Sequence, residues 1–213
     1  MPHDVDMRHA ALTEPLACCI HSIRKARLKF GDTVVIIGMG IMGYFHVKLA
    51  QMCGARIIVS ETDEEKRKTA IREGAAYAFD PRQCDVGEEI RRLTDGLGAD
   101  AVINTIPFKE VWQQAIDMLA PYGRLIAYSS QNSKEPIGVD FGMVHSREIE
   151  FIGTLNPTIE DNQMAVKLIG YQMIDMEKVI DREFSFAQGK EAFDYACKPG
   201  VYRVMINYGK EDN

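Results

Sequence analysis

The 213-residue sequence is short of several things, and each shortage closes off a class of protein. Positive charge is not in excess: 25 lysines and arginines face 31 aspartates and glutamates, for a net charge of −6. That balance is a poor match for nucleic acid or an anionic membrane surface. Long hydrophobic runs are missing. The longest uncharged apolar stretch, Thr33 to Phe45, is 13 residues and carries three glycines, whereas a membrane span needs about 20. Cysteines number five, an odd count without a C-x-x-C, so free thiols in a reducing cytoplasm are expected in place of a disulfide framework. Asp4, Asp6 and Arg8 interrupt the N-terminus, so no signal peptide is expected. Repeats, low-complexity segments and an H-E-x-x-H are also missing, and His3, His9, His21, His46 and His145 are scattered. The remaining composition, 46% hydrophobic and 26% charged, is that of a globular chain. Its length suits one large domain, or one domain with a fragment.

The informative stretch is residues 33–61. The β-branched run Thr33-Val34-Val35-Ile36-Ile37 stops at Gly38-Met39-Gly40-Ile41-Met42-Gly43. A helical stretch from Tyr44 to Cys53 follows, then a second apolar run, Arg56 to Ser60, ending on Glu61. Strand, G-x-G-x-x-G, helix, strand and acid in that order form the dinucleotide-binding fingerprint. Gly38 permits the tight turn, Gly40 lets amides approach a pyrophosphate, and Gly43 lets the helix lie close to the sheet. The helix N-terminus offers free N–H groups and partial positive charge. Glu61, about 20 residues on, can accept both hydroxyls of an adenosine ribose, and its charge repels a 2′-phosphate, which favours NAD over NADP. A glycine-rich turn in another α/β protein is the competing reading of the loop alone.

Periodicity organises the rest. A helix is expected from Arg8 through Leu12, Leu16, Ile20 and Ile23. Thr62 with Glu65 reads as a capping box for the helix of Lys66, Arg67 and Lys68, which is expected to be a solvated face. Further strands are expected at Ala76–Phe79, Ala101–Asn104, Arg124–Ser129 and Glu148–Thr154. Helices are expected at Val86–Thr94 and from Pro107 to about Ala120, with a polar loop at Ser130–Pro136. Alternation of strands and helices implies an α/β, doubly wound Rossmann fold, with six parallel strands in the order 3-2-1-4-5-6. Residues 157–213 break the rhythm, with helices at Thr158–Tyr171 and Gln188–Cys197 and extended segments at Val179–Phe186 and Val201–Asn207.

The succession of pieces resembles the coenzyme domain of the zinc-type medium-chain alcohol and polyol dehydrogenases. The resemblance rests on Ala10-Ala11-Leu12-Thr13-Glu14-Pro15-Leu16, Gly31-Asp32-Thr33-Val34, Gly38 to Gly43, Gly74-Ala75, Gly98-Ala99-Asp100, Tyr122-Gly123-Arg124-Leu125, and Phe184 with Glu191-Ala192-Phe193. It covers nearly the whole chain. It implies an NAD-binding domain at residues 16–156, with residues 1–15 and 157–213 as remnants of a catalytic domain whose bulk is absent. It puts Gly38, Gly40, Ile41, Met42 and Gly43 at the pyrophosphate, and Glu61 with Lys66 at the adenosine ribose. Asn104, Thr105 and Ile106 fall beside the ribose and nicotinamide. Tyr128 and Thr154 offer main-chain groups to the carboxamide, and Arg203 reaches the pyrophosphate. Glu14 falls on a position at or near the catalytic zinc; the plainer reading is an acid in the first turns of a helix.

The resemblance further implies oxidation of an alcohol or polyol by hydride transfer to NAD, with zinc as Lewis acid. Glu14 alone cannot hold zinc, so the chain is expected to bind NAD without turning over alcohols, and no catalytic residue is assigned. A stand-alone NAD(H)-sensing module is the alternative, and an adenosylmethionine-dependent methyltransferase a weaker one. Tyr44 and Lys48 have the spacing of a catalytic pair but read as a helix-surface pair, and Cys18-Cys19 as packed core. The edge strand 148–154 is expected to pair with its twin in a homodimer. The absent domain should leave apolar surface exposed around Leu12, Leu16 and the C-terminal segment.

Overall fold

The fold is taken from a computed structural model that describes residues 5–130 and 134–209. His3 and the centre of the polar loop at 130–136 lie outside those residues. In chain order the first elements are α1 (Met7–Ala10), α2 (Thr13–Ala26), β1 (Thr33–Ile37), α3 (Ile41–Met52), β2 (Arg56–Ser60), α4 (Glu64–Arg72) and β3 (Tyr77–Phe79). They are followed by α5 (Val86–Leu93), β4 (Ala99–Asn104), α6 (Lys109–Asp117), β5 (Leu119–Ala127), α7 (Phe141–Arg147) and β6 (Glu150–Gly153). The chain ends with α8 (Ile159–Gly170), β7 (Arg182–Ser185), α9 (Gly189–Ala196) and β8 (Val204–Asn207).

Six parallel strands run in the order β3-β2-β1-β4-β5-β6, as the alternation predicts. All five residues of β1 are buried, because helices cover both faces of the sheet. Val34 and Ile36 face a core shared with α2, α3 and α8; Val35 and Ile37 face one shared with α5 and α6. β7 and β8 form a separate two-stranded parallel sheet.

Several elements depart from expectation for local reasons. The N-terminal helix is broken at Ala11–Leu12, because Pro15 is tolerated in the first turn of α2 but not inside one continuous helix. The cap of α4 is Asp63, which accepts the Lys66 N–H at 3.0 Å, in place of Thr62. The helix expected to reach Ala120 stops at Asp117, and β5 begins at Leu119 and passes through Pro121-Tyr122-Gly123. Helix α7 was not expected; Asp140, which accepts the N–H groups of Gly142 and Met143, is the signal that marks its start.

Leu12 and Leu16 are buried, contrary to the expected exposure. Ala165, Ile169, Ile174, Met176 and Val179 belong to the same core, and α8 packs on α2. Exposed aromatics do occur in the C-terminal segment, at Tyr171, Phe186, Phe193 and Tyr208. Tyr44 is also core and not surface: its hydroxyl donates to the Asp175 carbonyl at 3.3 Å, while Lys48 pairs with Glu73 at 3.2 Å. Arg124 ties α2 to the sheet. Its guanidinium donates to the carbonyls of Ala26 (2.6 Å) and Arg27 (2.8 Å) at the carboxyl end of α2, and to Asp32 (2.8 Å).

His46 on α3 is fully buried. Nδ1–H donates to the Met42 carbonyl at 2.7 Å, so Nε2 is the acceptor for the Ser22 hydroxyl at 2.9 Å. Burial, only partly offset by the Met42 hydrogen bond, pushes its pKa down to about 4. The unfolded chain titrates near 6.5 and takes up the proton first as pH falls. The stability it contributes is therefore full above pH about 6.5 and is lost as pH falls toward 4. Between pH 7 and pH 5 the wild-type chain should lose about 2 kcal/mol on this account in urea unfolding. His46→Gln should lose about that much less over the same interval, and equal pH slopes would contradict a neutral buried imidazole.

Candidate functional site

The glycine loop sits at the carboxyl end of β1, where the strand order reverses between β1 and β4. Gly38 has φ +90°, and its N–H donates to the Ser60 carbonyl at 2.8 Å. A Cβ there would meet Thr105 Oγ1 at 2.6 Å. A Cβ on Gly43 would stand 2.0 Å from the Gly38 carbonyl oxygen. Gly40 differs: a Cβ on it would meet nothing within 4 Å, so its side faces open space.

Gly40 is the N-cap of α3 and supplies no side-chain hydrogen bond. By helix geometry the amides of Ile41, Met42 and Gly43 then lack an intrahelical acceptor. Helices α4, α5, α7 and α8 have their first amides satisfied by Asp63, Asp85, Asp140 and Thr158. An open cradle, uncapped amides and the partial positive charge of a 12-residue helix fit the pyrophosphate of a dinucleotide.

Glu61 stands beside that cradle. Its Oε2 accepts the Met39 N–H at 2.7 Å, and its Oε1 accepts the Asp63 N–H at 2.8 Å and the Thr62 hydroxyl at 3.1 Å. Two arginines fix the segment that carries it. Arg67 donates to the carbonyls of Glu61 (2.8 Å) and Thr62 (2.7 Å) and pairs with Asp80 at 3.2 Å. Arg82 bonds Asp80 and the Thr62 carbonyl, and its guanidinium holds the Asp80 carboxyl well below the usual carboxylate range. The Lys66-Arg67-Lys68 run is thus not a uniform solvated face. Lys68 pairs with Glu64 and Glu65 in solvent, Arg67 turns inward, and the Lys66 ammonium lies 5.1 Å from the Tyr202 ring centroid.

At the end of β4, Thr105 donates to the Ile37 carbonyl from both its N–H (3.1 Å) and its hydroxyl (2.7 Å). Asn104 Oδ1 accepts the Ile106 N–H at 2.9 Å, whereas its buried Nδ2 has no partner among the described residues. The Tyr128 hydroxyl points inward, 3.1 Å from Met42 Sδ, and burial raises its pKa. The N–H groups of Tyr128 and Thr154 are engaged with Ile126 and Ala127, which leaves carbonyls as the main-chain groups on offer. Cys18, Tyr128 and Thr154 line one hollow of 160 Å³. The Arg203 guanidinium makes no hydrogen bond or ion pair with the described residues.

Glu14 is exposed and accepts the Cys18 thiol at 3.2 Å. Burial, then Glu14 itself, raises that thiol to about 12. One carboxylate and one protonated thiol do not make a zinc site, which takes three or four donors at about 2.0–2.3 Å. Among the described residues Asp6, His9 and Glu177 form a tighter donor group. The Arg8 guanidinium already occupies it, bonding Asp6 at 2.6 Å and Glu177 at 2.7 Å. Sequence reasoning missed Arg67, Asp80, Arg82 and Tyr202; no motif marks them, because their partners come from separate segments.

Comparison with known proteins adds a family. A family profile described as zinc-binding dehydrogenase matches residues 39–170. Sorbitol dehydrogenase of Halalkalibacterium halodurans is 30% identical over 97% of this chain and 60% of its own length. D-arabitol-phosphate dehydrogenase of Enterococcus avium is 26% identical over 100% of this chain and 61% of its own. A Sinorhizobium meliloti structure, provisionally described as a zinc-binding dehydrogenase bound to NADP, matches with a TM-score of 0.90 and 27% identity. It covers 97% of this chain, which covers 61% of it. The chain thus spans about 60% of the length of the curated relatives it matches.

The glycines separate folding from ligand access. Gly43→Ala should cost roughly 1–3 kcal/mol, since the obstacle is backbone that must shift. Gly40→Ala should stay within about 0.5 kcal/mol of wild type, because its Cβ meets open space. Denaturant titration checks both, and equal losses would contradict this geometry.

Proposed function

The chain belongs to the zinc-binding dehydrogenase family, and from that premise we propose that it carries the NAD site of an enzyme oxidising an alcohol or polyol. The observation that carries this reading is the uncapped, open N-terminus of α3, with Glu61 bonded to the neighbouring Met39 amide. In this reading the α3 amides and the Arg203 guanidinium take the pyrophosphate. Glu61 and Lys66 take the adenosine ribose, and Thr105 and Ile106 line the path toward the nicotinamide, with Asn104 holding Ile106 in place. The bound dinucleotide supplies a ring that accepts a hydride. The chain's own part is to bind it, orient it and keep the amides dry.

The carboxylate of Glu61 favours NAD, since a 2′-phosphate would face its charge. We assign no catalytic residue to this chain and route no step through zinc, because Glu14 and Cys18 fall short of a metal's donor set. The chain by itself is then a binder that does not turn over alcohols. The division proposed at residue 156 has support in the architecture: the parallel sheet ends at Gly153, and β7 and β8 form another. Helix α8, which follows that division, packs back on α2. Among the described residues no helix is long and apolar enough to cross a membrane. All five cysteines are free thiols, which supports a cytoplasmic assignment.

Thermal-shift titration of the chain with NAD, NADP and adenosylmethionine tests the ligand class. NAD should stabilise it by about 2.7 kcal/mol at 100 times its Kd, and the other two should do less at equal concentration. Glu61→Gln keeps an acceptor for Met39 but loses the charge, and should shift the NADP-to-NAD preference about tenfold toward NADP. Stabilisation by adenosylmethionine alone would overturn the assignment, and metal-dependent alcohol oxidation by the chain would overturn its inactivity.

The sheet edge supports a homodimer. β6 is an outermost strand, and its Phe151 is 43% exposed. Light scattering at micromolar concentration should give twice the chain mass. A monomer would mean that the Arg27–Glu150 pair and the Lys25 bond to the Gly153 carbonyl blunt this edge.

A further inference from the structure

The C-terminal segment delivers to the nucleotide site a side chain that neither the loop nor the sheet supplies. The Asp181 carboxylate accepts the N–H groups of Tyr202 and, at 3.0 Å, of Arg203. The Asp181 N–H in turn donates to the Arg203 carbonyl at 2.8 Å. The backbone at 202–203 is thereby fixed. The Tyr202 ring stands edge-on to buried Tyr44 of α3, with centroids 6.5 Å apart. The ammonium of Lys66 on α4 rests over its face and has no carboxylate partner among the described residues. The ring therefore lies between the helix that starts at the glycine loop and the helix that starts just after Glu61.

The Tyr202 hydroxyl is buried and has no hydrogen-bond partner among the described residues. Burial, then the carboxylates of Glu61, Asp181 and Asp63, raises its pKa to about 12, so it remains a donor at neutral pH. A buried hydroxyl without an acceptor costs stability, and phenylalanine would fill the same space without that cost. The ring is held between Tyr44 near the start of α3 and Lys66 of α4, which sets it beside the glycine loop and the segment that follows Glu61.

We propose that Tyr202 is a dinucleotide-contact residue whose hydroxyl donates to an oxygen of the ADP half of the cofactor, with Asp181 as its positioning residue. The proposal rests on the nucleotide reading of the site. Lys66 shares the contact, since its ammonium can leave the ring face for the same anionic ligand.

The test is calorimetric titration of the full chain and its Tyr202→Phe variant with NAD and with ADP-ribose, alongside ligand-free unfolding temperatures. Tyr202→Phe should weaken both ligands about 3- to 10-fold. Its ligand-free unfolding temperature should equal or exceed that of wild type, because an unpaired buried hydroxyl has gone. Binding within threefold of wild type for both ligands overturns the proposal. So does a fall in the ligand-free unfolding temperature that accompanies the weaker binding, since that marks a structural role. A wild-type chain that binds neither ligand is a separate result: it removes the nucleotide reading itself, and this proposal with it.

Discussion

A side chain on residue 43 would stand 2.0 Å from the Gly38 carbonyl oxygen, so α3 reaches the sheet only because position 43 has none. That approach settles where the helix axis points. It sets the first amides of α3 over the end of β1, at the place where the strand order reverses. The register of β1 with β2, Ile37 opposite Ser60, then brings Glu61 beside Met39. The register of β1 with β4, Ile37 opposite Asn104, brings Thr105 against the same turn. Three separated segments meet because two backbones can touch.

Around that point the chain spends its cations unevenly. The protein is acidic overall, yet Arg67 and Arg82 meet at the segment that follows Glu61, and the backbone of Arg203 is held next to Tyr202, over whose ring Lys66 rests. They do different things. Arg67 and Arg82 bind carbonyls and Asp80, so they shape the segment behind Glu61 and are not available to an anion. Lys66 and Arg203 have no carboxylate partner among the described residues and remain available. Charge counting alone would have treated the four as equivalent.

The parts of this protein written locally were legible in its sequence. The run Thr33–Ile37, the three glycines and Glu61 state their own geometry, because each answers to a backbone constraint within about 20 residues. Strand order followed from alternation. Elements decided by a competing neighbour were not legible. Pro15 moved the start of α2, Asp63 displaced Thr62 as a cap, and α7 hides in a stretch whose only announcement is Asp140. Contacts between distant segments were least legible. Nothing near Tyr44 says that its hydroxyl meets Asp175, and nothing near Leu12 says that Ile169 shares its core.

The covering of Leu12 and Leu16 has a consequence for how the chain is made. Their apolar faces emerge first, but Ala165, Ile169, Ile174, Met176 and Val179, which share their core, come from the far end of the sequence. The ion pair of Lys178 with Glu73 closes a span of 105 positions. Synthesis proceeds from the N-terminus at about 5–20 residues per second. For roughly ten seconds or more, the part of the α2 stripe that packs on α8 therefore stays uncovered. It is a target for chaperones, or for the same stripe on another nascent chain, until α8 arrives.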